Sequence, residues 1–366
     1  MQRDLSMLAI GIGANALAAV SAFAQGAPAA TPEVTLTRLE CGAPTTRDVG
    51  ARTGAGLRFS DTYDFDGLKV QIVYSCYLIK HGGDYMVWDS GHPMNAPNVA
   101  PKVSLVDLLG KLELKPENVK FVGISHYHGD HVGQVDSFPK STLLIGKGDW
   151  DALTDPAKAS PMADPATFAP WIKGGSKVEP VSGDKDVFDD GTVVMLNTPG
   201  HTPGHHSLLV KLKEKGYVLL SGDLAHFREN YDTNGVPMFN TDHTYTLGSL
   251  DRFKKIAANL KATVIIQHDA RDVDKLPVFP ASAKYAESKA SVGWHGRRAR
   301  RLCHTTSLFP FATLQPCHDC HRIPDDFQNP VRCLEARDRG RFEPQRLGQF
   351  VLEHWFAGDP PPRRAE

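Results

Sequence analysis

Three histidines and one aspartate fall within six residues of this chain, in Ser125-His126-Tyr127-His128-Gly129-Asp130-His131. They follow directly on an apolar, β-type run at residues 119–124. Strand side chains alternate with a period of two, so a strand ending in this way presents His126 and His128 on one side. Asp130 and His131 then sit in the loop beyond, free to turn to a neighbouring point. Imidazole and carboxylate donors at this density suit a zinc-like ion and are numerous enough to serve two.

Further donors follow, each at the end of an apolar run. Residues 192–196 lead into Asn197-Thr198-Pro199-Gly200-His201-Thr202-Pro203-Gly204-His205, residues 217–220 into Ser221-Gly222-Asp223, and residues 263–266 into Gln267-His268. A strand followed by a polar loop residue, four times over, places donors along one edge of a sheet. Open α/β architectures keep their chemistry at such an edge.

With these residues the chain resembles the metallo-β-lactamase superfamily over residues 34–280. The shared features are His-x-His-x-Asp-His, a later His in a Thr-Pro-Gly-His turn, an Asp after an apolar strand and a last His after another. The turn at residues 198–207 and the stretch 223–239 look most like the N-acyl-homoserine lactonase branch. The resemblance implies an α/β fold, specifically the four-layer αβ/βα sandwich. It assigns His126, His128 and His201 to one metal ion and Asp130, His131 and His268 to a second, with Asp223 bridging. Two divalent ions, with Zn2+ the expected identity, can share a hydroxide and polarise a substrate oxygen.

Asp89, in Val87-Trp88-Asp89-Ser90-Gly91, matches a family position that supports the ligands; an ordinary turn Asp before Gly is the alternative. Lactonases of this family carry a Tyr three residues after the bridging Asp, aimed at the substrate carbonyl. Here that residue is His226, whose N–H can donate the same hydrogen bond. The alternatives are Tyr231 as a substitute donor, or neither residue acting; the departure bears on lactone preference rather than on hydrolysis. Asp130 is the candidate to carry a proton to the leaving alkoxide. His205 and His206 read as structural neighbours of a ligand, and His81, His92 and His243 as surface residues. Two segments are candidates to shape an acyl-binding cleft: the aromatic-bearing loop at residues 57–65, and Phe227, Tyr231, Met238 and Phe239. Each residue there could equally pack on the body of the fold.

Elsewhere, strand-like runs occupy residues 34–39, 68–79, 85–88, 120–124, 142–145, 193–196, 207–211, 217–220 and 263–266. Helical patterns occupy residues 103–112, 148–153 and 246–260. Strands outnumber helices, which suits two packed sheets with helices outside. At 366 residues and 41% hydrophobic composition the chain can bury one substantial core and a small second unit. A net charge of −1 gives no reason to expect nucleic acid or an anionic membrane as partner.

The N-terminus reads as a signal peptide over residues 1–24: Arg3, then an apolar stretch, then Ala22-Phe23-Ala24 as a cleavage site. Residues 25–33 read as a flexible lead-in, and the expected location is periplasmic or secreted, with no membrane span after cleavage. Export makes cysteine pairing relevant. Cys41 and Cys76 either pair or stand as two small core residues, the usual state of buried cysteine. The hydrolase domain is expected at residues 34–289. All 21 lysines lie at or before Lys289, whereas 12 of the 20 arginines and four of the six cysteines follow it. Residues 290–366 therefore read as an Arg/Cys-rich tail outside the catalytic fold. The tail holds Cys317-His318-Asp319-Cys320-His321, the c-type haem attachment pattern, but its flanks offer little apolar packing for a haem.

The function these features imply is an exported dimetal hydrolase that opens the lactone ring of N-acyl-homoserine lactones. A homodimer is compatible with it. Organophosphate hydrolysis on the same two metals is the main rival. A β-lactamase is disfavoured by Asp223 as the bridging group, and a c-type haem electron carrier is the remote alternative.

Overall fold

The computed structural model describes residues 32–51, 57–213 and 215–283. The expected signal peptide, most of the lead-in, and the tail with its Cys-x-x-Cys-His motif lie outside the described residues.

In chain order the first half comprises β1 (Val34–Glu40), β2 (Thr45–Asp48), β3 (Lys69–Ile72), β4 (Ser75–His81), β5 (Asp84–Trp88), α1 (Leu105–Gly110), β6 (Val119–Gly123), α2 (Gly129–Val132), β7 (Thr142–Gly146) and α3 (Lys147–Thr154). There follow α4 (Ala169–Ile172), β8 (Val178–Val181), β9 (Lys185–Asp186), β10 (Val193–Asn197), β11 (His206–Leu212), β12 (Gly216–Leu220), α5 (Arg228–Thr233), α6 (His243–Leu260) and β13 (Thr263–Ile265). One six-stranded sheet runs β1-β4-β5-β6-β7-β8, and a five-stranded sheet runs β13-β12-β11-β10-β9. β2 and β3 form a separate antiparallel pair.

Three apolar layers hold these elements together. Tyr77, Ile79, Met86, Trp88 and Leu144 of the first sheet meet Val193, Met195, Leu208, Val210 and Leu220 of the second. The outer face of the first sheet packs on Leu105, Leu108 and Leu109 of α1 and Ala152 and Leu153 of α3. The outer face of the second packs on Leu250, Phe253 and Ala257 of α6. Helix, sheet, sheet and helix are thus stacked in four layers, as expected. Strands β5, β6 and β7 pair in parallel and are apolar on both faces, because helices cover one side and the second sheet the other.

Helix α6 shows how local sequence sets an element. Asp242 caps it by accepting from Tyr245 N at 2.8 Å. Its buried residues Thr246, Ser249, Leu250, Phe253 and Ala257 recur at helical spacing. Lys261 ends it in the left-handed conformation at φ 50°. Removing the fully buried Phe253 ring would cost about 3–5 kcal/mol.

Two departures from the sequence reading matter for the site. The run at residues 68–79 is not one strand. It breaks at Val73-Tyr74, so that β3 pairs with β2 and β4 with β1. The backbone groups freed at the break are used: Val73 N donates to the His268 carbonyl at 3.1 Å, and Cys41 N donates to the Tyr74 carbonyl at 2.9 Å. Cys41 and Cys76 form a disulfide with their Cα atoms 5.8 Å apart, so the usual unpaired state of buried cysteine does not apply here. The antiparallel register, with Leu39 opposite Cys76, carries the chain past the end of β1 and brings Cys41 within reach.

Candidate metal centre

All seven residues singled out as ligands converge, from loops at the ends of β6, β10, β12 and β13 and from α2. His126 Nε2 and His201 Nε2 each lie 3.0 Å from His128 Nδ1, and 3.7 and 3.4 Å from Asp223 Oδ2. On the other side, His268 Nε2 and His131 Nε2 lie 2.9 and 3.2 Å from Asp223 Oδ1, and 3.5 and 3.7 Å from Asp130 Oδ2. These atoms form two four-donor groups that share Asp223. A tetrahedron with bonds of about 2.0–2.1 Å has edges of roughly 3.3 Å, and the observed spacings bracket that value. His131 Nε2 and Asp223 Oδ1 are buried without a well-directed hydrogen bond. Buried polar atoms left in that state are costly unless a further partner joins them. Donor type, spacing and the two orphaned atoms all fit a pair of divalent ions.

Three of the five donor imidazoles are oriented from behind through Nδ1. Asp89 accepts from Ser125 N at 2.7 Å and lies 3.0 Å from His131 Nδ1. It does so from a left-handed backbone at φ 58°, a conformation that costs a non-glycine residue roughly 1 kcal/mol. Asn240 Oδ1 lies 2.8 Å from His201 Nδ1, and the Val73 carbonyl 2.8 Å from His268 Nδ1. With Nδ1 protonated in these three rings, each Nε2 lone pair points into the cluster. Asp89 thus supports the ligands rather than serving as an ordinary turn residue. His205 also steadies a ligand, since its Nε2 accepts from Asp223 N at 2.9 Å. His206 bridges the Gly204 and Gly183 carbonyls, a structural position.

Asp149, at the start of α3, was not apparent from the sequence. It accepts from Tyr127 N at 3.2 Å, Thr202 Oγ1 at 2.8 Å and Gly204 N at 2.6 Å. It therefore clamps the loop of His126 and His128 to the turn of His201. The approach is so close that a methyl group at Gly146 would collide with the Gly204 carbonyl. Its only local signal is an acidic residue three positions past the apolar strand β7, in the first turn of a helix rather than in a loop.

Burial holds His126 and His201 well below the usual histidine range, helped by neighbouring imidazoles, and holds His128 down to about 4. These three rings are neutral donors near pH 7. Burial also opposes charge on His131, but the Asp223, Asp130 and Asp89 carboxylates prevail and raise it well above the usual range. Burial likewise disfavours the Asp223 carboxylate, yet the surrounding histidines, His268 first, hold it well below the usual range. Among the described residues Asp149 has no cation beside it, so burial outweighs its three hydrogen bonds and lifts it to about 7.

The cluster opens into a small cleft of about 70 Å3. Its lining includes Phe59, Phe239, His226, Met162, Tyr74 and Arg47. His226 Nε2 lies 3.2 Å from Asp223 Oδ2, and its ring sits between Phe59 and Phe239. Phe59 and Phe239 from the two candidate segments thus reach the cleft. Three other sequence readings need correction. Phe227 does not line the cleft; it is buried behind it, in one cluster with Phe59, Tyr74, Val49 and Val70. Tyr231 packs against Phe253 of α6, away from the cleft, and is not placed to replace His226. His92 is not a surface residue; it is 3% exposed, lies against Tyr74 with ring centroids 4.4 Å apart, and lines the cleft. Its backbone N–H is drawn inward by the Cys41 carbonyl at 2.9 Å.

The metallo-beta-lactamase superfamily profile matches residues 72–268, which span every donor of the cluster. The chain belongs to this superfamily. Within the superfamily, an N-acyl homoserine lactonase of Bacillus sp is 29% identical over 222 residues, 56% of this chain and 84% of that protein. The N-acyl homoserine lactonase AttM of Rhizobium radiobacter is 26% identical over 235 residues, with the same shares covered. Among solved structures, a quorum-quenching N-acyl homoserine lactone lactonase superposes with a TM-score of 0.57 at 23% identity, covering 69% of this chain and 98% of that one. An N-acyl homoserine lactone hydrolase with N-hexanoyl-L-homoserine at its catalytic metal centre gives 0.56 at 22% identity, covering 69% and 99%. At these identities the structures establish the metallo-beta-lactamase fold. Family and donor cluster together describe a metal-dependent hydrolase.

Proposed function

We propose that this protein hydrolyses the lactone ring of N-acyl-homoserine lactones. The observation that carries the reading is Asp223, shared by two four-donor groups at the floor of a cleft walled by Phe59 and Phe239. Lactonase relatives aligned over 84% of their own length support it. Two divalent ions, Zn2+ by the nitrogen-rich donor set, would supply an activated water and a polarised lactone carbonyl.

The chain's own residues account for the rest. Asp223 keeps the two donor groups in register. Phe59 and Phe239 exclude water and hold the acyl chain. His226 aims Nε2 at the cluster, where its N–H is the proposed donor to the oxyanion that develops on the carbonyl. Asp130 is the more exposed carboxylate of the cluster. It is proposed to take the proton of the attacking water and pass it to the ring oxygen as the carbonyl carbon–oxygen bond breaks. We further propose that the protein is exported, as the signal-type N-terminus implies; the Cys41–Cys76 disulfide supports an oxidising compartment.

Purified protein reconstituted with zinc should release acid from an N-acyl-homoserine lactone in a pH-stat, and acidifying the product should close the ring again. Amide cleavage would not be reversed in that way. Protein holding two ions per chain that leaves lactones intact, yet frees p-nitrophenol from a phosphotriester, would replace this reading with organophosphate hydrolysis on the same site.

A further inference from the structure

The cleft is not uniformly apolar. Around His226, Phe59 and Phe239 form an aromatic group, with ring centroids 5.3–5.5 Å apart. Around His268 the lining is different. The Tyr74 ring lies 5.4 Å from the His268 ring, and the Arg47 guanidinium lies beside the Tyr74 hydroxyl. Arg47 comes from the middle of β2, a short strand with half-buried residues alternating with exposed ones, and its half-buried side chain enters the cleft.

Arg47 is unusual among the described arginines. Arg58, Arg228, Arg252 and Arg271 each meet a carboxylate, and Arg38 donates to Ser75 Oγ. Among the described residues no carboxylate forms an ion pair with Arg47, although the cleft it lines holds Asp130 and His92 as well as Ile72 and Val99. A guanidinium partly withdrawn from water among apolar groups gains from an acceptor oxygen, and such charge-assisted bonds are the strong ones. Among the described residues the partner of Arg47 is the Tyr74 hydroxyl, which leaves further guanidinium N–H groups for a ligand oxygen.

The position of Arg47 selects which part of a ligand it meets. Arg47 is linked to the donor cluster through Tyr74, whose hydroxyl it meets and whose ring meets that of His268, and this link assigns it to the acyl arm of a ligand rather than to the scissile carbonyl. We propose that Arg47, held by Tyr74, is an acyl-oxygen subsite, and that the preferred substrates carry a keto oxygen on the acyl chain near the amide. The inference rests on the lactone reading above and deepens it. It makes Arg47 a specificity residue with no part in the bond-breaking step.

The test compares lactones of equal chain length with and without a β-keto group. The parent should favour the keto substrate by about tenfold or more in kcat/KM, the range of a hydrogen bond to a charged group. Arg47→Met should bring that ratio close to one while leaving the plain lactone within about threefold of the parent, and Arg47→Lys should keep part of the preference. Equal turnover of both lactones by the parent, or a parallel loss on both in Arg47→Met, overturns the subsite. Calorimetric binding of the matched β-keto and plain N-butyl amides, which have no ring to open, gives a reading independent of turnover. A keto preference in binding that Arg47→Met abolishes, with no lactone hydrolysed, would sustain the subsite and refute the lactone reading. Lactone turnover with no keto preference in either assay would do the reverse.

Discussion

The two halves of the donor cluster share Asp223 but are braced by different means. His126, His128 and His201 sit on two backbone segments that Asp149 ties together through Tyr127 N, Thr202 Oγ1 and Gly204 N. His131 and His268 are gripped through their own rings, by the Asp89 carboxylate and the Val73 carbonyl. The first half is fixed largely by the distance between loops, with His201 also held through its ring by Asn240. The second is fixed by acceptors that set ring tautomer and angle directly. The charges differ accordingly: Asp89 has His131 beside it, whereas Asp149 is a lone buried carboxylate. Damage to one brace should therefore spoil geometry, and damage to the other should spoil donor chemistry.

The largest effect should come from erasing the shared element. Asp223→Ala removes a donor from both halves, so elemental analysis should show fewer than one ion retained per chain. Activity should fall by about three orders of magnitude or more. Two retained ions with near-normal turnover would end the idea of a shared carboxylate. Next in size is His226, which sits above Asp223 on the side of the first half. His226→Ala should lower kcat by about a hundredfold, with KM little changed and both ions still bound. His226→Tyr should recover much of that loss; if the alanine variant matches the parent, the oxyanion donor is elsewhere.

The two braces separate at the third and fourth steps. Asp89→Asn offers His131 an amide N–H in place of an acceptor, which favours the tautomer whose Nε2 carries a proton. Ion affinity of the second half should drop by roughly ten- to a hundredfold, while the first half keeps its ion. Titration of cobalt-substituted protein, followed by its absorption bands, would show whether only one ion is weakened. Asp149→Asn should weaken the first half by about tenfold, because one of three hydrogen bonds loses its acceptor.

Asp149 also carries a pH signature. Its folded pKa of about 7 lies above the ordinary value of 3.8, so its contribution to stability is full below about pH 4 and is lost as pH rises through 7. Between pH 5 and 8 the metal-free parent should lose stability relative to Asp149→Asn, by a few kcal/mol at most. Parallel urea-melting curves for the two proteins across that range would contradict a lone buried carboxylate.

The ligands were legible because their signal is local. His126, His128, Asp130 and His131 occupy one short segment, and His201, Asp223 and His268 each close an apolar strand. Asp149 was not legible, since its partners Thr202 and Gly204 lie more than fifty residues away. The same holds for Tyr74, whose role depends on a strand break that a continuous apolar pattern conceals. β2, with its charged and half-exposed residues, and the two-residue β9 carry too little periodicity to be seen. His92 looked like a surface residue because its sequence context is polar turn; burial comes from the Cys41 carbonyl and the Tyr74 ring, both distant in sequence. The layered fold, by contrast, was visible in the count and order of apolar runs.

The disulfide has a consequence for how this chain divides its labour. Cys41 and Cys76 are 35 positions apart, and the loop they close contains Arg47, Phe59, Ile72 and Tyr74. All seven donors of the cluster lie outside that loop; Val73, through its backbone, and the Tyr74 ring reach across to His268. A large share of the substrate-facing wall is thus a cassette, pinned at both ends to the body of the fold. Substitutions of Arg47 or Phe59 inside it should alter which molecules are admitted, whereas substitutions of the seven donors beyond it should alter what is done to them.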